Sequence, residues 1–139
     1  MMDIMLIEDN HADADLFRLS MRATSHAGRV LWFEEGRSAL DYLFERGEHA
    51  GRDVPGLIVL DLNMPEMDGR EVLRQLKHDD QLCQIPIVVM SSSEDDRDVR
   101  SCYRMHANSY VRKPLDYSSL KEIAVSLERF WMKTAVLPS

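Results

Sequence analysis

Cysteine is scarce in this chain. Cys83 and Cys102 are the only two in 139 residues, far apart, outside any CxxC pattern and without histidine at ligand spacing. Neither a disulfide framework nor a zinc site is written here; two reduced thiols in a cytoplasmic protein is the reading. Glycine and proline are sparse, at 6 and 5. No GxGxxG or other glycine-rich phosphate loop occurs, which argues against a flavin or nucleotide binder. No apolar run approaches a membrane span, and Met1-Met2-Asp3 leads straight into IMLI without the basic segment of a signal peptide. Positive charge is also short: 17 Lys and Arg against 24 Asp and Glu leave a net charge of −7, with no basic cluster. That balance repels phosphate backbones and anionic membranes, so neither nucleic acid nor membrane is expected as a partner.

What is present is a regular alternation. Ile4 to Ile7, Val30 to Phe33, Leu57 to Leu60, Ile87 to Met90 and Tyr110-Val111 read as five strands. LIVL and IVVM are apolar at every position, the habit of central parallel strands covered on both faces. Between them lie helical stripes: Leu16, Leu19, Ser20 and Ala23; Ala39, Leu40, Leu43 and Phe44; Val72, Leu73 and Leu76; Val99, Cys102 and Tyr103; and Leu120, Ile123, Ala124 and Leu127 with Phe130 or Trp131. Asp68-Gly69 and Asp116 stand where caps belong. Five βα units in series predict an α/β fold, a (βα)5 doubly wound five-stranded parallel sheet. A hydrophobic fraction of 45% in a chain of this length fills one domain, residues 1–139. The polar connection from 45 to 56 is longer than a minimal αβ loop.

In such a sheet, ligands bind outside the carboxyl ends of the strands. The first strand delivers Glu8, Asp9 and Asn10 to that edge, the third Asp61, Leu62 and Asn63, the fourth Ser91 to Ser93, and the fifth Arg112, Lys113 and Pro114. Three carboxylates, Glu8, Asp9 and Asp61, then crowd one cleft, at a cost unless a cation neutralises them. Oxygen ligands without His or Cys select a hard ion, Mg²⁺ or Mn²⁺. With Lys113 as a fixed positive charge, Ser91 as a hydroxyl and Asp61 as a nucleophile, the set suits a phosphoryl group. Each member alone has a plainer role. Asp9-Asn10 could cap a helix, Asp61 could leave a strand, Ser91 could sit in a turn, and Lys113 could lie at the surface. Pro65 and Gly69 could be turn punctuation. The conjunction at one edge carries the inference.

Glu8-Asp9, the run DLNMPEMDG from Asp61 to Gly69, Ser91 closing IVVMS, and YVRKP from Tyr110 to Pro114 resemble the receiver domain of two-component response regulators. The resemblance covers nearly the whole chain. It implies that Asp61 is the phosphoacceptor, taking its phosphoryl group from a phosphohistidine on a sensor histidine kinase. It implies that Asp9, Asp61 and the Asn63 carbonyl ligate Mg²⁺, with Glu8 acting through a water. Ser91 would bond a phosphoryl oxygen, Lys113 would pair with Asp61 or its phosphate, and Tyr110 would swing inward when Ser91 moves. Pro114 would follow a cis peptide, and Asn63 and Ser93 would flank the path of the attacking water. Ser91 stands where the family commonly has Thr, and Glu8 where it often has Asp; both keep the functional group.

The long loop after the second helix, DGREVLRQLK, ANSYVRKPLD and FWMKTAVLP resemble single-domain regulators paired with bacterial and cyanobacterial phytochrome kinases. That resemblance implies no output domain and a signal that leaves through protein contact. One route is a homodimer through the fourth helix, fifth strand and fifth helix, with Phe130, Trp131, Val136 and Leu137 at its end; the alternative is that these four pack back on the domain. Other readings of the chain are a receiver-like module that is never phosphorylated, and an Asp-nucleophile phosphohydrolase. Asn63 stands where the latter would need a second acid.

Overall fold

The protein is described from a computed structural model that covers residues 2–24, 28–44 and 54–138. The order is β1 (Ile4–Ile7), α1 (His11–Arg22), β2 (Val30–Phe33), α2 (Gly36–Leu43), β3 (Leu57–Leu60), α3 (Gly69–Lys77), β4 (Ile87–Ser91), α4 (Asp96–Arg104), β5 (Ser109–Arg112) and α5 (Tyr117–Leu127). A short 3-10 turn at Leu82–Gln84 precedes β4, and α5 runs on into a π-helical segment, Glu128–Thr134. The five strands form one sheet in the order β2-β1-β3-β4-β5, every pair parallel. This is the doubly wound (βα)5 architecture that the alternation predicts. β4 and β5 extend a residue or two beyond their apolar runs, because ladder bonds do not stop where hydrophobicity does. Most of the long connection after α2, residues 45–53, lies outside the described residues.

Alternation along the central strands splits the core. Met5, Ile7, Ile58, Leu60, Ile87 and Val89 face α2, α3 and α4, where Ala39, Leu40, Leu43, Val72, Leu73, Leu76 and Cys102 meet them. Ile4, Leu6, Leu57, Val59, Val88 and Met90 face α1 and α5, against Ala14, Phe17, Met21, Leu120, Ala124 and Leu127. Burying each large side chain contributes about 1.5–3 kcal/mol, which makes these two layers the main source of stability. β1 and β3 are neighbours although β2 lies between them in sequence. The winding therefore reverses between them, and their tips flank the crevice where such sheets bind ligands.

Two expectations need correction. On α1 the sheet takes Ala14, Phe17, Ser20 and Met21, while Leu16, Leu19 and Ala23 are exposed. Two parallel stripes of apolar residues run along this helix. Ala14 permits close approach, and Phe17 with Met21 carries more apolar area, so that stripe wins. The bond before Pro114 is trans, and no cis peptide occurs among the described residues. The trans form is favoured intrinsically by about 0.5–1 kcal/mol. The short link into Asp116, which caps α5 by accepting from the Ser119 amide at 2.7 Å, is made in that form.

The C-terminal apolar end divides. Trp131 and Met132 pack against the α1/α5 layer, with the Phe130 ring edge-on to Trp131 at 4.9 Å. Phe130 and Val136 stay in solvent, at 51% and 97% exposed, and Leu137 is half-buried.

Candidate phosphoryl-transfer site

The register fixes the geometry of the acidic edge. Ile7 pairs with Leu60, and the Asp61 amide donates to the Ile7 carbonyl at 3.0 Å, so Glu8 and Asp61 come out level on adjacent strands. Both follow the parity of Leu6 and Val59 and so lean to the α1/α5 side. Lys113 follows Val111 on β5 and leans the same way. Its Nζ stands 2.7 Å from Glu8 Oε1, 3.1 Å from Asp13 Oδ2 and 3.6 Å from Asp61 Oδ2. Ser91 and Tyr110 have the opposite parity and lie on the α3/α4 side. The site thus has a charged flank and a hydroxyl flank, with Asp61 between them.

Glu8 is 4% exposed and Asp61 6%. Glu8, Asp9 and Asp61 can each offer an oxygen such that all three lie within 4.8 Å of one another. Two like charges at about 4 Å repel by about 4 kcal/mol at an effective dielectric near 20, enough to move a carboxyl by several pH units. Burial, opposed by the Lys113 ammonium and reinforced by the Asp61 charge, pushes the Glu8 carboxyl up to about 7. Burial also raises Asp61, against the pull of Lys113, a hydrogen bond from Glu8 and the Asn63 backbone N–H. Lys113 is pulled down by burial but held above its ordinary value by Glu8, Asp61 and Asp13. One ammonium cannot balance this many carboxylates. An all-oxygen cluster with surplus negative charge fits a hard divalent cation.

The tip of β3 is locked from behind. The Gly69 amide donates to the Leu62 carbonyl at 2.8 Å, and a Cβ at Gly69 would sit 2.2 Å from the Asp61 carbonyl oxygen and 2.7 Å from Leu62 Cα. Only glycine lets the start of α3 approach this backbone. Asp68 caps α3 by accepting from the Arg70 amide at 2.8 Å. Asn63 and Pro65 are exposed in the turn between Asp61 and that cap.

On the hydroxyl flank Ser91 is fully buried; its Oγ accepts from the Ser93 amide at 3.2 Å, and its carbonyl accepts from the Lys113 amide at 2.9 Å. Tyr110 is half-buried against the α3/α4 layer, and its hydroxyl donates to the Ser93 carbonyl at 3.1 Å.

Asp13 and Trp32 join the site without having been anticipated. Asp13 lies in the first turn of α1, where the Asn10 cap (Asp13 N to Asn10 Oδ1, 3.0 Å) sets it facing Lys113. Its place three residues into a capped helix beside the acidic strand tip was the available signal. Trp32 Nε1 donates to the Glu8 carbonyl at 2.8 Å, with the His11 ring edge-on at 5.1 Å and the Arg18 guanidinium 4.8 Å from its centroid. No local pattern marks that contact.

A level acid pair at the crevice, a lysine just past β5 and a buried hydroxyl from β4 meet at one edge of a doubly wound α/β sheet, and the sequence comparison gives the family. Residues 4–125 match the model of the response regulator receiver domain, and the chain belongs to that family. The phosphorylated cyanobacterial phytochrome response regulator RcpA is 40% identical, with a TM-score of 0.95 and 99% of each chain covered. Response regulator Rcp1 of Synechocystis is 35% identical over 136 residues, 98% of this chain and 92% of that protein. Its Mn²⁺-bound crystal structure superposes with a TM-score of 0.94 over the full length of both chains. The probable methanogenesis regulatory protein FilR2 of Methanothrix harundinacea is 40% identical over 129 residues, 93% of this chain and 83% of that protein. No helix among the described residues is long and apolar enough to cross a membrane.

Proposed function

We propose that this receiver domain is a phosphorylation switch in which Asp61 takes a phosphoryl group from a phosphohistidine on a sensor histidine kinase. The observation that carries the reading is the convergence of Glu8, Asp9 and Asp61 with Lys113 between Glu8 and Asp61. An Asp61 carboxylate oxygen attacks phosphorus in line, the P–N bond to the kinase imidazole breaks, and that imidazole leaves with the electron pair and takes a proton. Asp9, Asp61 and the Asn63 carbonyl would hold Mg²⁺ or Mn²⁺, with Glu8 through water; the cation supplies positive charge that keeps the carboxylates ionised and offsets charge on the phosphoryl oxygens. Lys113 balances the Asp61 side of the transferred group, and Ser91 donates its hydroxyl to one of its oxygens. Tyr110 reads the displacement of Ser91. Apart from its own phosphorylation and hydrolysis, the domain has no catalytic role in this reading.

The likeness to RcpA and Rcp1 supports a phytochrome-type kinase as donor and a cytoplasmic setting. The exposed Phe130 and Val136, with Trp131 and Leu137 beside them, support a homodimer that includes the α4, β5 and α5 face. Light scattering after size exclusion, with and without a phosphoryl mimic, tests this: a strict monomer at high concentration in both states rules it out.

The decisive experiment is incubation with acetyl phosphate and Mg²⁺ followed by intact mass measurement. Wild type should gain one phosphoryl group, and both Asp61→Asn and chelator should abolish it. An adduct that persists in Asp61→Asn overturns the assignment, and no adduct in wild type leaves a receiver-like module that is not phosphorylated.

A further inference from the structure

The β4–α4 loop is tied to the start of α3 by a chain of side chains outside the acidic cluster. Arg70, second residue of α3, forks its guanidinium. Nη1 lies 3.1 Å from both oxygens of Asp68, and Nη2 forms an ion pair with Asp98 of α4. The other Asp98 oxygen accepts from the Ser93 hydroxyl at 2.5 Å. Ser93 is a hub: its amide donates to Ser91 Oγ, its hydroxyl also accepts from the Asp95 amide at 3.3 Å, and its carbonyl accepts from the Tyr110 hydroxyl. Every polar group of Ser93 is therefore engaged. The Ser93 hydroxyl and the Arg70 guanidinium hold the Asp98 carboxyl below its ordinary value. Arg70 in turn stands on the α3 terminus that Gly69 pins to the Asp61 backbone.

We propose that Arg70 and Asp98 are positioning residues for the switch: their ion pair braces Ser93 in the arrangement that receives the inward Tyr110 hydroxyl, and so favours the state in which Asp61 carries a phosphoryl group. Charge-assisted bonds at both Asp98 oxygens give the loop one well-defined conformation. A ligand that prefers a braced state binds less tightly when that state is less populated. The brace lies on the α3/α4 side, whereas Glu8, Lys113 and Asp13 lie on the α1/α5 side. Its loss therefore changes phosphoryl affinity and leaves cation affinity alone.

The proposal rests on Asp61 as phosphoacceptor, and its test separates the two. Calorimetric titration of beryllofluoride, a phosphoryl mimic, in saturating Mg²⁺ should show about fivefold or greater weakening in Asp98→Ala and in Arg70→Met. The double variant should be no weaker than the worse single one, because the pair acts as a unit. Arg70→Lys, which keeps the charge, should recover most of the affinity. Mg²⁺ affinity should match wild type in all four. Without mimic, hydrogen exchange at the Ser93 and Asp95 amides should accelerate in both single variants. If Asp98→Ala misfolds, Arg70→Met and Arg70→Lys still decide the matter. Wild-type affinity or wild-type exchange in Arg70→Met overturns the brace while leaving Asp61 as acceptor. Faster exchange in a protein whose wild type binds no beryllofluoride overturns the acceptor reading, and with it the brace's part in switching.

Discussion

The tips of β3 and β4 stand side by side in the sheet and are held in opposite ways. Asp61 at the β3 tip rests on backbone: a fully buried LIVL run beneath it, the Ile7 carbonyl beside it, and the Gly69 backbone against it with no room for a methyl group. At the β4 tip the buried Ser91 also has backbone support, its carbonyl accepting from the Lys113 amide. Ser93 just beyond it is held through side chains: its amide on the Ser91 hydroxyl, its hydroxyl on a carboxylate and a phenol on its carbonyl. Close backbone packing resists displacement, because dense interiors have low compressibility. Side-chain hydrogen bonds contribute about 0.5–1.5 kcal/mol each and can be exchanged for others. On the proposed function, the acceptor is the firmly held group and the responder the movable one, as a device that converts a local charge change into a surface change requires.

The largest expected effect breaks the fixed side. Gly69→Ala forces either α3 or the Asp61 carbonyl to move and should cost about 3 kcal/mol or more. Chemical unfolding checks it, together with phosphoryl uptake; a protein of unchanged stability and uptake would show that the β3 tip is not locked there. The next effect concerns charge at the adjacent β1 tip. Burial lifts the Glu8 carboxyl from 4.5 to about 7. Over that window the folded protein holds a proton that the unfolded chain has shed. Metal-free stability from this group is fully present below about pH 4.5 and is lost as pH rises through about 7, by up to about 3 kcal/mol. Added Mg²⁺ competes with that proton, so its stabilisation should be larger near pH 8 than near pH 6. Thermal unfolding with Mg²⁺ or EDTA at both pH values measures this; equal gains would remove Glu8 from the cation site.

Two smaller changes probe the movable side. Asp95 caps α4 by accepting from the Arg97 amide at 2.8 Å, and Asp95→Ala should cost about 1 kcal/mol of stability. Tyr110→Phe removes one hydrogen bond to Ser93 and should cost about 0.5–1 kcal/mol, while the ring keeps its packing. Denaturant midpoints resolve both. If Tyr110→Phe cost as much as Gly69→Ala, the contrast between the two tips would collapse.

The strands and the acid triad were legible because both are local. Continuous apolar runs locate central strands to within a residue or two, and the residues that follow them must lie at the sheet edge. Fold class then brings Glu8, Asp9, Asp61, Ser91 and Lys113 together. What could not be read depends on placement in three dimensions. The inward stripe of α1 was ambiguous because Leu16 and Leu19 offered a rival to Phe17 and Met21, and only the packing against α5 and the sheet decides between them. The end of α4 carries no glycine; His106 takes the left-handed conformation, φ 72°, in its place. Asp13, Trp32 and the Arg70–Asp98 pair join residues from elements distant in sequence. Lys113 also sits nearer Glu8 than Asp61, with Asp13 as a further partner at 3.1 Å.

The indole of Trp32, bonded to the Glu8 carbonyl, makes the molecule its own optical instrument. The chain has two tryptophans, and the other, Trp131, lies beyond α5 in the apolar C-terminal end. Emission from Trp32 should register cation uptake at the acidic edge, and emission from Trp131 should register what reaches the far end of α5. Single-tryptophan variants, Trp131→Phe and Trp32→Phe, would let the two events be timed separately in a stopped-flow cell without any attached dye. A Trp131→Phe protein whose emission ignores saturating Mg²⁺ would show that the Glu8 backbone does not follow its side chain.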